Sequence, residues 1–231
     1  MTDMIYNHIT ARVPGMTDQL LINPYGFLYE EITASSLIKI DLQGNTLLQP
    51  EHGFGINAAG YVIHSAVHSA RHDIGCVIHT HSRAGVAVSA MRRGLLPLSQ
   101  TSMRFHGCTS YHAFEGPALN MEERARLISD LGGNDVMFLR NHGLLVGGNT
   151  IAEAFSRIYF LENACKMQVD AMTSGEELIL ASDEAADITA ASMRPDARVS
   201  TTKHDSGRFD GMLEWRALLR KLDRLDPSYA H

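Results

Sequence analysis

Apolar positions along the chain switch between a period of two and a period near 3.6, and this switching sets the expected elements. Residues 37–42 alternate as a strand, and Gln43-Gly44-Asn45 reads as the turn into a second strand over 46–48. Residues 61–71 put Val62, Ala66 and Val67 on one helical stripe, 76–81 return to a strand, and 83–92 to a helix. An extended segment is expected over 100–106. Asn120 stands as the cap of a helix through Leu131, with Glu122 and Glu123 in its first turn and Gly132-Gly133 closing it. Residues 136–140 and 144–146 read as two strands flanking Asn141-His142-Gly143. A long helix over 151–172 carries Ile151, Ala154, Phe155, Ile158, Leu161, Cys165, Val169 and Met172 on its stripe. Residues 173–207 are polar and small and predict a partly mobile linker, and an amphipathic helix follows over 209–225. Strands and helices mix without regular β-α-β spacing, which predicts an α/β sandwich with a mixed or mainly antiparallel sheet. The expected organisation is one domain over 1–175. Residues 176–231 then form a linker and a C-terminal helix packing on that domain or on a neighbouring subunit.

Composition narrows the class. The 231 residues are 45% hydrophobic and 20% charged, ordinary for a globular chain. A net charge of −6 with scattered Lys and Arg leaves no nucleic-acid footprint. No apolar run approaches the roughly 20 residues of a membrane span, and the N-terminus lacks the basic start and apolar stretch of a signal peptide. Cys76, Cys108 and Cys165 are far apart and show no C-x-x-C spacing, so reduced thiols in a cytoplasmic protein are expected. The one oddity is 12 histidines, of which His64, His68 and His72 share one side of a helix.

Those histidines carry the candidate chemistry. In Val77-Ile78-His79-Thr80-His81 the two histidines end an apolar strand, and residues i and i+2 of a strand share a face. Two parallel imidazoles make half of a metal site, and His142 in Leu139-Arg140-Asn141-His142-Gly143 offers a third ligand. Three protein ligands leave a position for water or substrate, the pattern of a catalytic rather than a structural zinc site. Imidazole suits zinc, iron and manganese alike. Each motif also has a plain reading. H-x-H pairs occur as satisfied histidines, and Asn-His-Gly suits a hairpin turn because Asn and Gly tolerate positive φ.

Five stretches together resemble the class II aldolase/adducin family. They are Asn7-His8-Ile9-Thr10-Ala11-Arg12, Ile32-Thr33-Ala34-Ser35-Ser36-Leu37, His79-Thr80-His81, Arg140-Asn141-His142-Gly143-Leu144-Leu145, and Ile151-Ala152-Glu153-Ala154-Phe155. They fall in the family's order over about residues 5–170. The resemblance implies a three-layer αβα sandwich with a mixed, mainly antiparallel central sheet. It implies His79, His81 and His142 as ligands of a divalent metal, zinc first with iron or manganese as alternatives. It also implies a homotetramer with interfacial active sites, acting on a small-molecule substrate.

One departure redirects that expectation. Where family aldolases carry a Ser-Ser-Glu segment, this chain has Ala58-Ala59-Gly60, so the acid/base glutamate and the serines that help cradle phosphate are absent. Asn7, Thr33 and Ser35 remain as candidate anion-cradle residues or as plain turn and capping residues. Arg12 and Arg140 are candidates for a substrate carboxylate, which guanidinium pairs bidentately. His64, one helical turn beyond Gly60, could supply a fourth nitrogen or a proton shuttle, or bond to backbone. Tyr111 and Glu115 are further acid/base candidates. The glutamate-free pattern looks like an adducin-like branch. Its resemblance extends to metal-dependent decarboxylases of aromatic acids, a non-haem iron oxygenase, and the adducin head, a cytoskeletal module without known chemistry. A metal-dependent lyase acting on a small carbonyl or carboxylate compound, rather than a sugar phosphate, is the leading expectation. Iron-dependent oxidation and a non-catalytic interaction module are its alternatives.

Overall fold

In a computed structural model describing residues 3–116, 120–195 and 209–231, the strands form one sheet. They are β1 (His8–Arg12), β2 (Gln19–Ile22), β3 (Ile38–Asp41), β4 (Thr46–Leu48), β5 (Cys76–Thr80), β6 (Thr109–His112), β7 (Val136–Leu139) and β8 (Gly143–Gly148). Their spatial order is β4-β3-β2-β1-β5-β8-β7-β6. Neighbours run antiparallel except β6 and β7, which are parallel. The helices are α1 (Ala58–Ala70), α2 (Arg83–Ser89), α3 (Gln100–Met103), α4 (Glu123–Leu131) and α5 (Ile151–Thr173).

Strands β5, β7 and β8 are buried on both faces, so they read as apolar runs rather than alternations. Val77, Met137, Leu139 and Leu145 pack against Ile63 and Val67 of α1 and Leu127 and Leu131 of α4. Ile78, Phe138, Leu144 and Val146 pack on the opposite face against Val88 of α2 and Ile158 and Leu161 of α5. The result is the expected three-layer αβα sandwich. Because side chains alternate along β5, His79 falls with Val77 on the α1 face and Thr80 with Ile78 on the α5 face.

Several elements differ from their sequence signals. β1 carries no apolar alternation because the residues it turns inward include His8 and Thr10, which are buried and polar. Its antiparallel register sets His8 opposite His79. The segment expected to be extended over 100–106 begins instead with the helical turn α3. Ser99 and Ser102 drive this by a reciprocal cap, each hydroxyl accepting the other's backbone N–H at 3.1 and 3.0 Å. Asn120 accepts the Glu122 N–H at 2.9 Å, one turn ahead of α4, so it caps the lead-in rather than the helix itself.

The stretch expected as a linker holds helix α6 (Asp183–Ser192), capped by Ser182 and burying Ala186 and Ala190. The Ala181 N–H donates to the Pro97 carbonyl at 3.0 Å, tying this stretch to the domain. Residues 196–207 of that expectation lie outside the described residues. Helix α7 (Met212–Leu225) packs on α5 with Trp215 edge-on to Phe155, ring centres 5.7 Å apart. Leu213, Leu222 and Leu225 on α7 stay exposed.

Candidate metal centre

His79 lies in β5, His81 follows it by two residues, and His142 sits in the turn joining β7 to β8. β8 pairs with β5 with Thr80 opposite Leu144, which brings that turn to the C-terminal end of β5. Asn141 makes the turn with φ at +56°, as the Asn-His-Gly signal predicts. Gly143 is needed for close approach rather than for its φ. A Cβ there would lie 2.3 Å from the Thr80 carbonyl oxygen and 3.3 Å from the rings of His79 and His81.

The three rings converge. His79 Nε2 and His81 Nε2 are 2.7 Å apart, and His81 Nε2 and His142 Nε2 are 3.0 Å apart. One ligating nitrogen of each residue lies within 4.8 Å of the others. The partners of the other ring nitrogens decide what these atoms offer. His79 Nδ1–H donates to the Leu144 carbonyl at 2.8 Å, and His81 Nδ1–H donates to Asp3 Oδ2 at 3.0 Å. With the ring hydrogen on Nδ1 in each, both Nε2 atoms present lone pairs, and two lone pairs facing at 2.7 Å repel unless a proton or a metal ion lies between them. The donor set fits a divalent ion. Metal–imidazole bonds of about 2.0–2.1 Å require the nitrogens to spread only by tenths of an ångström.

Burial lowers the His79 pKa well below its usual value, with the neighbouring charges of His8, His142 and His81 adding to it. Burial and His81 bring His142 down to about 4. These two rings are neutral near pH 7, the form that ligates. His79 is fully buried, whereas His81 and His142 are half-buried and leave one side accessible. Asn7 supports the ligands by accepting the His81 backbone N–H on Oδ1 at 2.9 Å.

A second polar array lies behind the first. The His8 ring is 4.8 Å from that of His79. Its Nδ1 is 2.8 Å from His64 Nε2, and Thr10 Oγ1 is 2.8 Å from both His64 Nδ1 and His68 Nε2. Gly60 faces this array from the first turn of α1, where a Cβ would meet the His8 ring at 2.7 Å. The room that a side chain at position 60 would need is thus filled by His8. His64 bonds to His8 and Thr10, and so reaches the ligands through His8. Burial lowers the pKa of His8 and His64 well below the usual value. Burial and then Arg12 lower His68 to about 3.

Of the remaining candidates, Glu115 and Arg140 line the cleft beside His142, with their charged groups engaged by other partners. Tyr111 lies on the α5 face of the sheet, stacked on Phe138 at 5.3 Å, with its hydroxyl accepting the Leu95 N–H at 3.0 Å. Burial raises its pKa. Glu115 accepts from Arg126 Nε at 2.8 Å, and that pairing lowers its pKa. Arg12 sits at the opposite end of β1 from His8, its Nε donating to the Ile74 carbonyl at 3.0 Å and its Nη2 to the Arg71 carbonyl at 3.3 Å. Arg140 donates to the Met91 carbonyl at 2.6 Å and stacks over Tyr111 at 4.2 Å. The hydroxyls of Thr33 and Ser35 contact each other at 3.1 Å, and the Ser35 N–H donates to the His231 carbonyl at 2.8 Å.

Sequence reasoning missed Asp3 and His8. No spacing marks Asp3. His8 lies in the first family motif and would have emerged had its strand pairing with His79 been legible. The cleft beside His142 encloses only about 10 Å³. A larger cavity, about 400 Å³, lies elsewhere, between Arg104, Asn134 and Arg157.

The family model for the "Class II Aldolase and Adducin N-terminal domain" matches residues 1–169. A Pseudomonas aeruginosa protein provisionally named a class 2 aldolase is 49% identical over 227 residues, covering 98% of this chain and 84% of that protein. Mouse alpha-adducin is 39% identical over 229 residues, covering 97% of this chain and 31% of the adducin. The crystal structure of an aldolase II superfamily protein from Pseudomonas syringae superposes with a TM-score of 0.88 at 45% identity, over 99% of this chain and 87% of that one. L-fuculose 1-phosphate aldolase from Glaciozyma antarctica superposes at 0.81 with 24% identity, over 99% and 84%, a likeness of fold alone.

Two predictions follow from the buried array. His68 is held neutral in the fold down to about pH 3, whereas the unfolded chain protonates it near 6.5. The unfolded state therefore binds more protons between these values, and stability present above pH 6.5 is lost as pH falls towards 3. Unfolding free energy measured by denaturant titration is expected to decline over this window, with a shallower slope in His68→Gln; a flat wild-type profile contradicts the assignment. Gly60→Ala is expected to destabilise the fold by about 1–3 kcal/mol through overpacking against His8. Combining it with His8→Ala is expected to cost less than the sum of the two single changes, and strict additivity would refute the contact.

Proposed function

Since the chain belongs to the class II aldolase and adducin family, we propose that it is a metal-dependent lyase of the aldolase type. Its substrate is a small carbonyl or carboxylate compound rather than a sugar phosphate. The observation carrying this reading is the pair of imidazole lone pairs facing each other at 2.7 Å, with both Nδ1 hydrogens already donated. A divalent ion held by His79, His81 and His142, zinc first and iron or manganese next, supplies Lewis acidity that polarises a substrate oxygen when bound. Asp3 and the Leu144 carbonyl orient two of the ligand rings, and Asn7 fixes the backbone of His81.

The proton-handling group of this reading is His8. It stands against Gly60, where the family's acid is absent, and its Nδ1 is backed by His64. Its Nε2 is the atom left to take or give a proton. Against sugar phosphate speaks the engagement of Arg12 and Arg140 by backbone carbonyls and of Thr33 with Ser35. The small volume beside His142 supports an assembly in which a neighbouring subunit completes the site, the homotetramer included in this proposal. A cytoplasmic location is likewise proposed, supported by three free cysteines. Among the described residues no helix is long and apolar enough to cross a membrane.

The likeness to alpha-adducin favours a second reading, a non-catalytic interaction module. The two separate in an assay of the metal-loaded protein against hydroxy- and keto-acids, aromatic carboxylic acids and sugar phosphates. The lyase reading expects aldehyde, ketone or carbon dioxide release from the non-phosphorylated compounds, and a fall in kcat of about 10²-fold or more in His8→Ala. Oxygen consumption after anaerobic Fe(II) loading transfers the site to oxidation. No turnover with any metal leaves the interaction module.

A further inference from the structure

Glu162 is a buried acidic side chain for which neither the core nor the histidine array gives a reason. It lies on α5 and is 1% exposed. Its Oε1 accepts the Thr80 hydroxyl at 2.9 Å, while Oε2 is buried without a hydrogen-bond partner. A buried carboxyl oxygen left unsatisfied carries the full cost of its lost hydration. An apolar pair of similar volume would remove that cost and stabilise the helix–sheet contact. The surroundings make such a replacement natural, since Ile78, Ile158, Leu161 and Cys165 pack in the same layer.

The place of Thr80 in the chain supplies the reason. It is the residue between His79 and His81. Strand alternation sends its side chain through the sheet to α5 while the two imidazoles leave on the α1 face. Its backbone carbonyl meets Gly143 so closely that a Cβ there would lie at 2.3 Å. The same peptide thus touches the turn that carries His142. Fixing the Thr80 side chain to a 23-residue helix therefore fixes the pivot from which all three ligands are aimed. Asp3 and Leu144 orient the rings from the front, and Glu162 anchors the strand from behind.

We infer that Glu162 is a positioning residue of the histidine centre, acting through the Thr80 hydroxyl to hold His79 and His81 at ligating separation. This inference rests on the metal reading above. Residues outside the ligand set that orient ligands are worth about ten- to hundred-fold in metal affinity. The test is Co(II) titration of metal-stripped protein, followed by its visible d–d bands, in wild type, Glu162→Ala, Thr80→Val and Thr80→Ser. Thr80→Val removes the hydroxyl at nearly constant volume and guards against a Glu162→Ala protein that does not fold. Wild type and Thr80→Ser are expected to bind alike. Thr80→Val and Glu162→Ala are expected to bind about ten- to hundred-fold more weakly, with altered d–d intensity at saturation. Wild-type affinity and spectrum in Thr80→Val overturn the inference, even if its unfolding midpoint has dropped. No Co(II) uptake by wild type overturns the metal reading itself, and this inference with it.

Discussion

The register of β5 between β1 and β8 is the constraint on which the rest of the structure depends. A slip of one residue in a strand exchanges its two faces. Here it would send His79 into the apolar layer under α5 and drop Thr80 among the histidines. The antiparallel register sets His79 opposite His8 on one side and Leu145 on the other. It also leaves the Leu144 carbonyl within reach of His79 Nδ1. Close packing on both faces of β5 and β8 holds that register, because a slip would misfit every side chain against the helices that face it. The centre is therefore a consequence of core packing as much as of its own polar contacts.

The polar residues at this end of the sheet impose a cost that the core must carry. His8, His64, His68 and His79 are all buried, and none can be protonated without desolvation. Hydrogen bonds among these rings and with Thr10, Leu144 and, at the edge, through His81 to Asp3 offset part of that cost, while His68 Nδ1 is left without a partner. Gly60 belongs to the same economy of space. The absence of a side chain there and the presence of the His8 ring are one feature seen from two elements. The departure from the aldolase pattern is thus a filled site rather than an empty one.

How much of this was legible in the sequence depended on where the polar residues fall. β3, β4, β5, β7, β8, α1, α2, α5 and α7 announced themselves by apolar period, and their three-layer arrangement matched expectation. The ligands were legible because two sit at strand spacing and the third in a turn whose Asn141 takes positive φ. β1 was invisible because two of the residues it buries are His8 and Thr10, and with β1 went the identity of the residue facing Gly60. Sequence spacing pointed to His64, which is the partner behind His8. Tyr111 occupies the α5 face of the sheet, and the short polar sequence of β6 does not announce the strand that puts it there. Arg12 and Arg140 carry the right chemistry for a carboxylate, but backbone carbonyls at turns and helix ends claim them first.

The central claim is that three converging imidazoles, two of them with their outer hydrogens already donated, form a cation site. Element-resolved metal analysis of protein purified without chelator tests it most directly, with His81→Ala alongside. The account predicts one divalent ion per chain in wild type and its loss in the variant. Metal-free wild type, or a variant that keeps its full complement, would contradict it.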